Sequence, residues 1–346
     1  MSGKRRLVVE LAAQARNWSL PVAGLERLEN AARAEWETIV IDEPIPMSHD
    51  AGSVVSAHAL AAANEAEVYF GWGISETLFR AAPKLKWVHS AAAGVGKSLF
   101  PELLQSEVVF SNSAGVMSDA IAEHVLAGVL HFLRGFDIAR EQQNAANWSK
   151  EPFTSAQAMV RELCECRVVI VGTGGVGTAV AKRFALLGAT CIGVRRRPGR
   201  PTPFGFHEVV GLEEVDVVLP TADVVVLAAP LTDATRGVLS ERRINCLPAG
   251  AIVVNVSRGA LLDEAALARQ LEAGQLRGAV LDVFQVEPLP AESPLWQMNR
   301  VLLTPHVSYV SPRLYWGRAF DLFLENWTRY LEGEPLRNVV DKEAGY

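Results

Sequence analysis

Residues 166–177 read C-R-V-V-I-V-G-T-G-G-V-G, and the reading of this stretch decides the fold. Val168, Val169, Ile170 and Val171 are apolar at consecutive positions, as in a parallel strand covered on both faces rather than one alternating between core and water. Beyond the glycines, Val176, Val180, Phe184 and Leu187 recur at helical spacing and Gly188 supplies a stop. Gly172, Gly174 and Gly177 thus fit G-x-G-x-x-G in a strand-turn-helix setting. Gly172 permits the tight turn, Gly174 lets backbone approach a pyrophosphate without a Cβ in the way, and Gly177 allows close packing of helix on strand. First-turn N–H groups, at Gly175, Val176 and Gly177, then face the anion. Glycine clusters also make plain turns; the flanking pattern is what points to a dinucleotide.

Length and composition narrow the rest. A chain of 346 residues suggests two domains, and 49% apolar with 21% charged residues describes a globular protein. A net charge of -6 gives no general attraction for nucleic acid or anionic lipid, so a small anionic substrate needs local cations. Cys164, Cys166, Cys191 and Cys246 are too scattered for a disulfide framework and lack partners at metal spacing. No metal is expected. Lys4, Arg5 and Arg6 precede a short apolar run that Glu10 and Gln14 interrupt, and no apolar stretch is long enough to span a bilayer. A cytoplasmic protein is expected.

Strand-like runs at 7–9, 38–41, 68–70, 87–89 and 108–110 alternate with helical or turn-rich pieces such as 57–66 and 75–82, which is an α/β pattern. Gly96-Lys97-Ser98 looks like the end of a phosphate-binding P-loop, but the glycine required five positions earlier is Ala91. Ala92, Ala93, Gly94 and Val95 read instead as a small-residue loop whose N–H groups suit a carboxylate, or as a plain turn. A long helix is expected over 119–140, with Ile121, Val125, Val129 and Phe132 on one stripe. A final helix carries Phe320, Phe323, Leu324, Trp327 and Leu331 on one face and stops at Gly333.

After the glycine loop the next strand, 190–194, ends in Arg195, Arg196 and Arg197, where a chain built for NAD usually places Asp or Glu for the ribose. Guanidinium groups suit a phosphate, so NADP is the expected cofactor, NAD a possible one, with Arg195 and Arg196 as contacts. A solvated basic turn before Pro198 is the alternative. Further strands are expected at 223–229, 251–256, 280–284 with Asp282 inside it, and 301–303. Just past them come Arg258, Glu287 and His306. Arginine can clamp a carboxylate and polarise the adjoining carbonyl. Glutamate beside histidine favours the imidazolium and sets its tautomer, and histidine then passes a proton to or from the carbonyl oxygen. Taken singly, a surface Arg, a solvated Glu and a turn His would serve as well.

The segments Gly172-Thr-Gly-Gly-Val-Gly177, Ala222-Asp-Val-Val-Val-Leu227 with Pro230-Leu-Thr232, Asn255-Val-Ser-Arg-Gly259, Asp282-Val-Phe-Gln-Val-Glu-Pro-Leu289 and Thr304-Pro-His306 carry a resemblance to the D-isomer specific 2-hydroxyacid dehydrogenases, from about residue 87 to 340. The resemblance implies a Rossmann domain at 118–311 inserted into a flavodoxin-like substrate domain made of 1–117 and 312–346, and a homodimer through the Rossmann domains. It makes Arg258, Glu287 and His306 the catalytic residues. Asp282 would hold the nicotinamide carboxamide, Ala229, Pro230, Val256 and Ser257 would line the cofactor, and Ala93, Gly94 and Asn112 would bind substrate with Arg258. The expected activity is hydride transfer between NAD(P)H and a small 2-oxo or 2-hydroxy acid. Arginine after the second strand resembles the NADP-using glyoxylate and hydroxypyruvate reductases. Formate dehydrogenases of the group carry Gln where Glu287 stands, against that activity. The chain departs from the family at Gly94-Val95-Gly96, where G-V-D is usual. Trp148, Tyr309 and Trp316 are aromatic candidates for the pocket, with packing as the alternative. A nucleotide-sensing corepressor on the same scaffold is the competing expectation.

Overall fold

Short β-branched and aromatic runs near the N-terminus become five parallel strands: β1 (Arg5–Glu10), β2 (Trp36–Ile41), β3 (Ala66–Gly71), β4 (Trp87–Ser90) and β5 (Val109–Asn112). The computed structural model describes residues 4–14, 19–31, 34–45, 54–155 and 159–345. The chain divides into two units, Met1–Val116 with Ser311–Tyr346, and Met117–Val310.

In the first unit the strand order is β2-β1-β3-β4-β5, the flavodoxin-like arrangement. β3 and β4 are buried at every position, Glu67, His89 and Ser90 included. Ser56 and Ser75 start the helices Ala57–Ala63 and Glu76–Ala81 by accepting from the N–H groups of Ala59 and Leu78, at 3.1 and 3.2 Å. The helix Tyr315–Glu332 returns from the far end of the chain and lays its aromatic stripe on this sheet. Phe323 stacks on Phe70 at 4.0 Å between centroids, and Trp327 meets Trp36 edge-on at 4.7 Å. Gly333, at φ 71°, ends the helix in the left-handed conformation glycine favours.

The second unit holds seven parallel strands: β6 (Arg167–Val171), β7 (Thr190–Arg195), β8 (Glu208–Gly211), β9 (Val224–Leu227), β10 (Ile252–Asn255), β11 (Gly278–Leu281) and β12 (Val301–Leu303). Their order is β12-β11-β10-β9-β6-β7-β8. Counting from β6, this is the 3-2-1-4-5-6 order of a Rossmann sheet with one strand added. The chain reverses direction across the sheet between β6 and β9, and ligands of such sheets sit at the carboxyl ends of strands beside that reversal. Separate apolar clusters cover the two faces of the sheet.

Three expectations change. The helix expected over 119–140 is two helices, Ser118–Leu133 and Phe136–Asn144. Gly135 parts them at φ 68°, a left-handed turn the α-helix does not contain. β8 was not anticipated: it runs from exposed Glu208 through half-buried Val209 and Val210 to buried Gly211, and only the two valines are β-branched. β11 ends at Leu281, so Asp282 lies just outside the strand. Among the described residues no helix is long and apolar enough to cross a membrane.

Candidate active site

The glycine loop leaves β6 at the reversal point, and its geometry explains each glycine. Gly172 has φ +105°, and a Cβ there would stand 2.6 Å from the Ala228 carbonyl oxygen. A Cβ on Gly177 would collide with the carbonyl oxygen of Gly172. Gly174 faces open space and is the N-cap of the helix Gly175–Leu186, which has no side-chain cap. The first-turn N–H groups beside Val176 are therefore left for an anion, and a dinucleotide pyrophosphate fits the cradle.

Along the carboxyl edge of this sheet each loop touches the next. The Gly172 backbone packs on the Ala228–Ala229 peptide, which precedes Pro230. The Ala229 carbonyl accepts the Ser257 hydroxyl. Val256 is buried between β10 and Ser257. Asn255, fully buried, accepts from the Ser257 N–H at 3.1 Å and donates to the Arg258 carbonyl at 3.0 Å. That clamp shapes the turn presenting Arg258, whose guanidinium also donates to the Ser257 carbonyl at 2.8 Å. A Cβ on Gly259 would collide with the Phe284–Gln285 peptide, so the arginine loop lies directly against the loop that carries Glu287. Glu287 accepts from the Phe284 N–H at 2.9 Å and lies 2.8 Å from Nδ1 of His306. The side chains of His306 and Glu287 are 16% and 23% exposed, so the pair is accessible without being fully solvated.

Asp282 is entirely buried. One of its carboxylate oxygens accepts from Thr304 Oγ1 at 2.6 Å and the Val307 N–H at 2.8 Å; the other accepts from the Ser308 N–H at 3.0 Å. Its carbonyl takes the His306 N–H at 2.8 Å. An aspartate buried at the end of an apolar strand needs such partners, and here they all belong to the histidine loop. Thr304 Oγ1 also lies 3.3 Å from Nε2 of His124. Tyr309 stands beside His306, its ring 6.0 Å away and nearly perpendicular, and burial pushes its hydroxyl pKa up.

Arg195 ends β7, but its guanidinium turns back on the chain. It donates to the carbonyls of Pro198 at 3.0 Å, Pro201 at 3.3 Å and Arg200. Prolines break any regular ladder in this segment, and Arg195 satisfies the carbonyls left over. Arg196 is exposed on the same turn.

In the first unit, the 91–95 loop follows β4. Asn112, at the end of β5, donates to the Ala93 carbonyl at 2.8 Å and accepts from the Ala114 N–H at 3.1 Å. Ser90 accepts from the Ala92 N–H, and the Tyr315 hydroxyl donates to the Ala91 carbonyl at 2.7 Å. Ala93 and Gly94 are thereby held at the surface of a braced loop. Trp316 is 7% exposed and packs among Trp72, Tyr315 and Phe320, whereas Trp148 is 99% exposed.

Asn255 and Glu264 had no role in the sequence reading. The signal for Asn255 was an Asx-type spacing two residues before Ser257; Glu264 carried none beyond its place in a helix first turn.

Fold and site together define a dehydrogenase that takes a nicotinamide dinucleotide and acts on a carboxylate-bearing carbonyl or alcohol. A family profile described as D-isomer specific 2-hydroxyacid dehydrogenase, NAD binding domain, matches residues 126–308. The chain belongs to the D-isomer specific 2-hydroxyacid dehydrogenase family and is an NAD(P)H-dependent 2-hydroxyacid oxidoreductase. It is 35% identical over 274 residues to glyoxylate/hydroxypyruvate reductase A of Salmonella newport, covering 77% of this chain and 83% of the relative. A D-isomer specific 2-hydroxyacid dehydrogenase from Xanthobacter autotrophicus, solved with NADPH and MES, superposes with TM-score 0.78 at 30% identity, over 99% of this chain and 100% of that one. An NADPH-dependent glyoxylate/hydroxypyruvate reductase from Sinorhizobium meliloti, solved with NADP and sulfate, gives 0.76 at 28% identity over the same shares. These likenesses lend the corepressor reading no support.

Proposed function

We propose that the protein reduces a small 2-oxo acid, glyoxylate or hydroxypyruvate, with NADPH. The observation that carries this reading is the unbroken run of contacts from the glycine loop through Arg258 to the Glu287–His306 pair on one sheet edge. Arg258 binds the substrate carboxylate and polarises the adjacent carbonyl. Glu287 engages Nδ1 of His306, so Nε2 carries the proton delivered to the carbonyl oxygen and recovers it in the reverse direction. The nicotinamide, when bound, supplies hydride to the carbonyl carbon. Asp282 holds the loop on which His306 stands. In the first unit Asn112 braces the loop of Ala93 and Gly94, whose backbone N–H groups suit a carboxylate.

For the cofactor, the glycine loop and the first helical turn take the pyrophosphate, while Ala229, Pro230, Val256 and Ser257 follow along the same edge. Arg196 contacts the 2′-phosphate, and Arg195 shapes the turn that presents it. The NADP and NADPH of the similar solved structures favour the same choice.

Two copies associate through their dinucleotide units. The support is the segment 136–154, where Trp148 and Phe136 are 99% and 58% exposed beside a groove lined by Gln142, Ala146 and Phe153. Four free thiols agree with a reducing cytoplasm.

A panel of 2-oxo acids run with NADPH and NADH in parallel tests the central reading. Turnover is expected with glyoxylate or hydroxypyruvate and NADPH. Binding of NADPH with no oxidation of it on any member of the panel would overturn the assignment.

A further inference from the structure

The loop bearing Glu287 is held by two carboxylates. The N–H of Phe284 ends on Glu287 itself, at 2.9 Å. The next N–H, that of Gln285, ends on Oε1 of Glu264. Glu264 is the first residue of the helix Glu264–Glu272, which Asp263 caps by accepting from the Ala266 N–H at 2.9 Å. The Gln285 side chain returns the contact, donating to the Leu262 carbonyl at 2.9 Å. On its other side the Phe284–Gln285 peptide rests on Gly259, where no Cβ fits. The segment is therefore gripped from both ends of the 259–264 stretch that follows Arg258.

We propose that Glu264 is a positioning residue: by accepting the Gln285 N–H it fixes the turn from which Glu287 reaches His306, and so sets the geometry of proton transfer. The inference rests on the assignment of His306 and Glu287 given above. Glu287 and Glu264 accept from the adjacent N–H groups of Phe284 and Gln285, which makes the two acids neighbours; burial pushes the Glu264 carboxyl up, the Gln285 N–H holds it down, and the charge of Glu287 adds to the rise. Such a pair repels, and a helix first turn accepts many residues other than Glu. The Gln285 N–H is the favourable contact that offsets the repulsion. Without it the exposed Gln285 N–H would turn to water, and the turn would lose its tie to the start of the helix.

The test uses the full-length protein in three variants beside His306→Gln. Glu264→Gln keeps an acceptor at the same reach and is expected to hold kcat within about twofold, since geometry is preserved. Glu264→Ala removes the acceptor, and Glu264→Asp withdraws it by one methylene while keeping the charge at the helix start. Both are expected to lower kcat about tenfold or more, with KM for the 2-oxo acid and Kd for NADPH changed less than about threefold. Glu264→Asp retains the helix-terminal charge and guards against an alanine variant that does not fold. Wild-type kcat in Glu264→Asp, or a Glu264→Gln loss as large as that of Glu264→Asp, overturns the proposal. Activity surviving in His306→Gln would instead remove the catalytic assignment beneath it, so the two failures are told apart.

Discussion

His306 holds its Nδ1 at 2.8 Å from Glu287 while its own backbone sits at φ 54°. A side-chain-bearing residue in that left-handed region costs on the order of 1–3 kcal/mol and persists only where its surroundings demand it. Here the demand comes from Asp282, which ties the residues on either side of the histidine to the end of β11. The strained backbone and the oriented imidazole are two results of one arrangement.

If His306 passes the proton, His306→Gln will lower kcat by about a hundredfold to ten-thousandfold, the usual span for a positioned acid or base. NADPH affinity, read from cofactor fluorescence, will stay within about threefold. Arg258→Ala will chiefly raise KM for the 2-oxo acid, by about ten- to a hundredfold, as expected for one charged hydrogen-bonding clamp, with a further loss in kcat. Near-normal steady-state kinetics in both variants would remove the assignment.

Asp282→Asn keeps shape but replaces a charged acceptor with an amide that must aim one end as a donor. Three donors then compete for one acceptor oxygen, and at least one is left unbonded, at about 1–3 kcal/mol. The variant is expected to melt at lower temperature and to lose kcat together, because the same loop carries the histidine. Calorimetry and kinetics on one preparation check this; an unchanged kcat with a lowered Tm would confine Asp282 to stability.

Arg196→Ala is expected to weaken NADPH binding about tenfold or more while leaving NADH nearly unaffected, as loss of a phosphate contact requires. Arg195→Ala will weaken NADPH less steeply and raise protease sensitivity in the 198–201 turn, since its guanidinium serves carbonyls there. Isothermal titration with both cofactors, and with 2′,5′-ADP as a probe of the phosphate alone, separates the two. A wild-type preference of tenfold or more for NADH would end the NADP reading.

In the first unit His89 is wholly buried, with Nδ1 2.8 Å from the Ser111 hydroxyl and, among the described residues, no partner for Nε2. Burial pushes its pKa down to about 3. The unfolded chain takes up this proton near pH 6.5, and the folded one does not until about pH 3. Folded-state stability is therefore unaffected by this group above pH 6.5 and falls as the pH drops below it, by about 1.4 kcal/mol per pH unit. His89→Phe should flatten the decline of Tm between pH 6.5 and 4. An unchanged slope in the variant would show that other groups govern acid unfolding.

Features that a single residue type dictates were plain in the sequence. Only glycine fits at Gly172 and Gly177, and strands covered on both faces, such as β6 and β9, spell themselves as unbroken valine runs. His306, Glu287 and Arg258 were visible because each follows a short apolar strand within six residues. What stayed hidden depends on partners. A guanidinium suits a phosphate and a set of carbonyls equally, so Arg195 could not be assigned by chemistry alone. β8 sits at the sheet edge with one side half in water, and its two valines look like a loop. Gly135 stood inside a helical period whose stripe continues past it, so only its backbone angle reveals the break.

The aromatic stack under the Tyr315–Glu332 helix has an optical consequence. Trp36, Trp87 and Trp327 are almost fully shielded in the first unit, whereas Trp148 and Trp296 of the second are 99% and 51% exposed. Iodide will quench the red-shifted emission of Trp296, and of Trp148 only in unpaired chains, and spare the blue-shifted emission of the first three. Denaturation followed by total tryptophan emission will thus be weighted toward one unit, and a single smooth curve from that probe is no proof that both melt together.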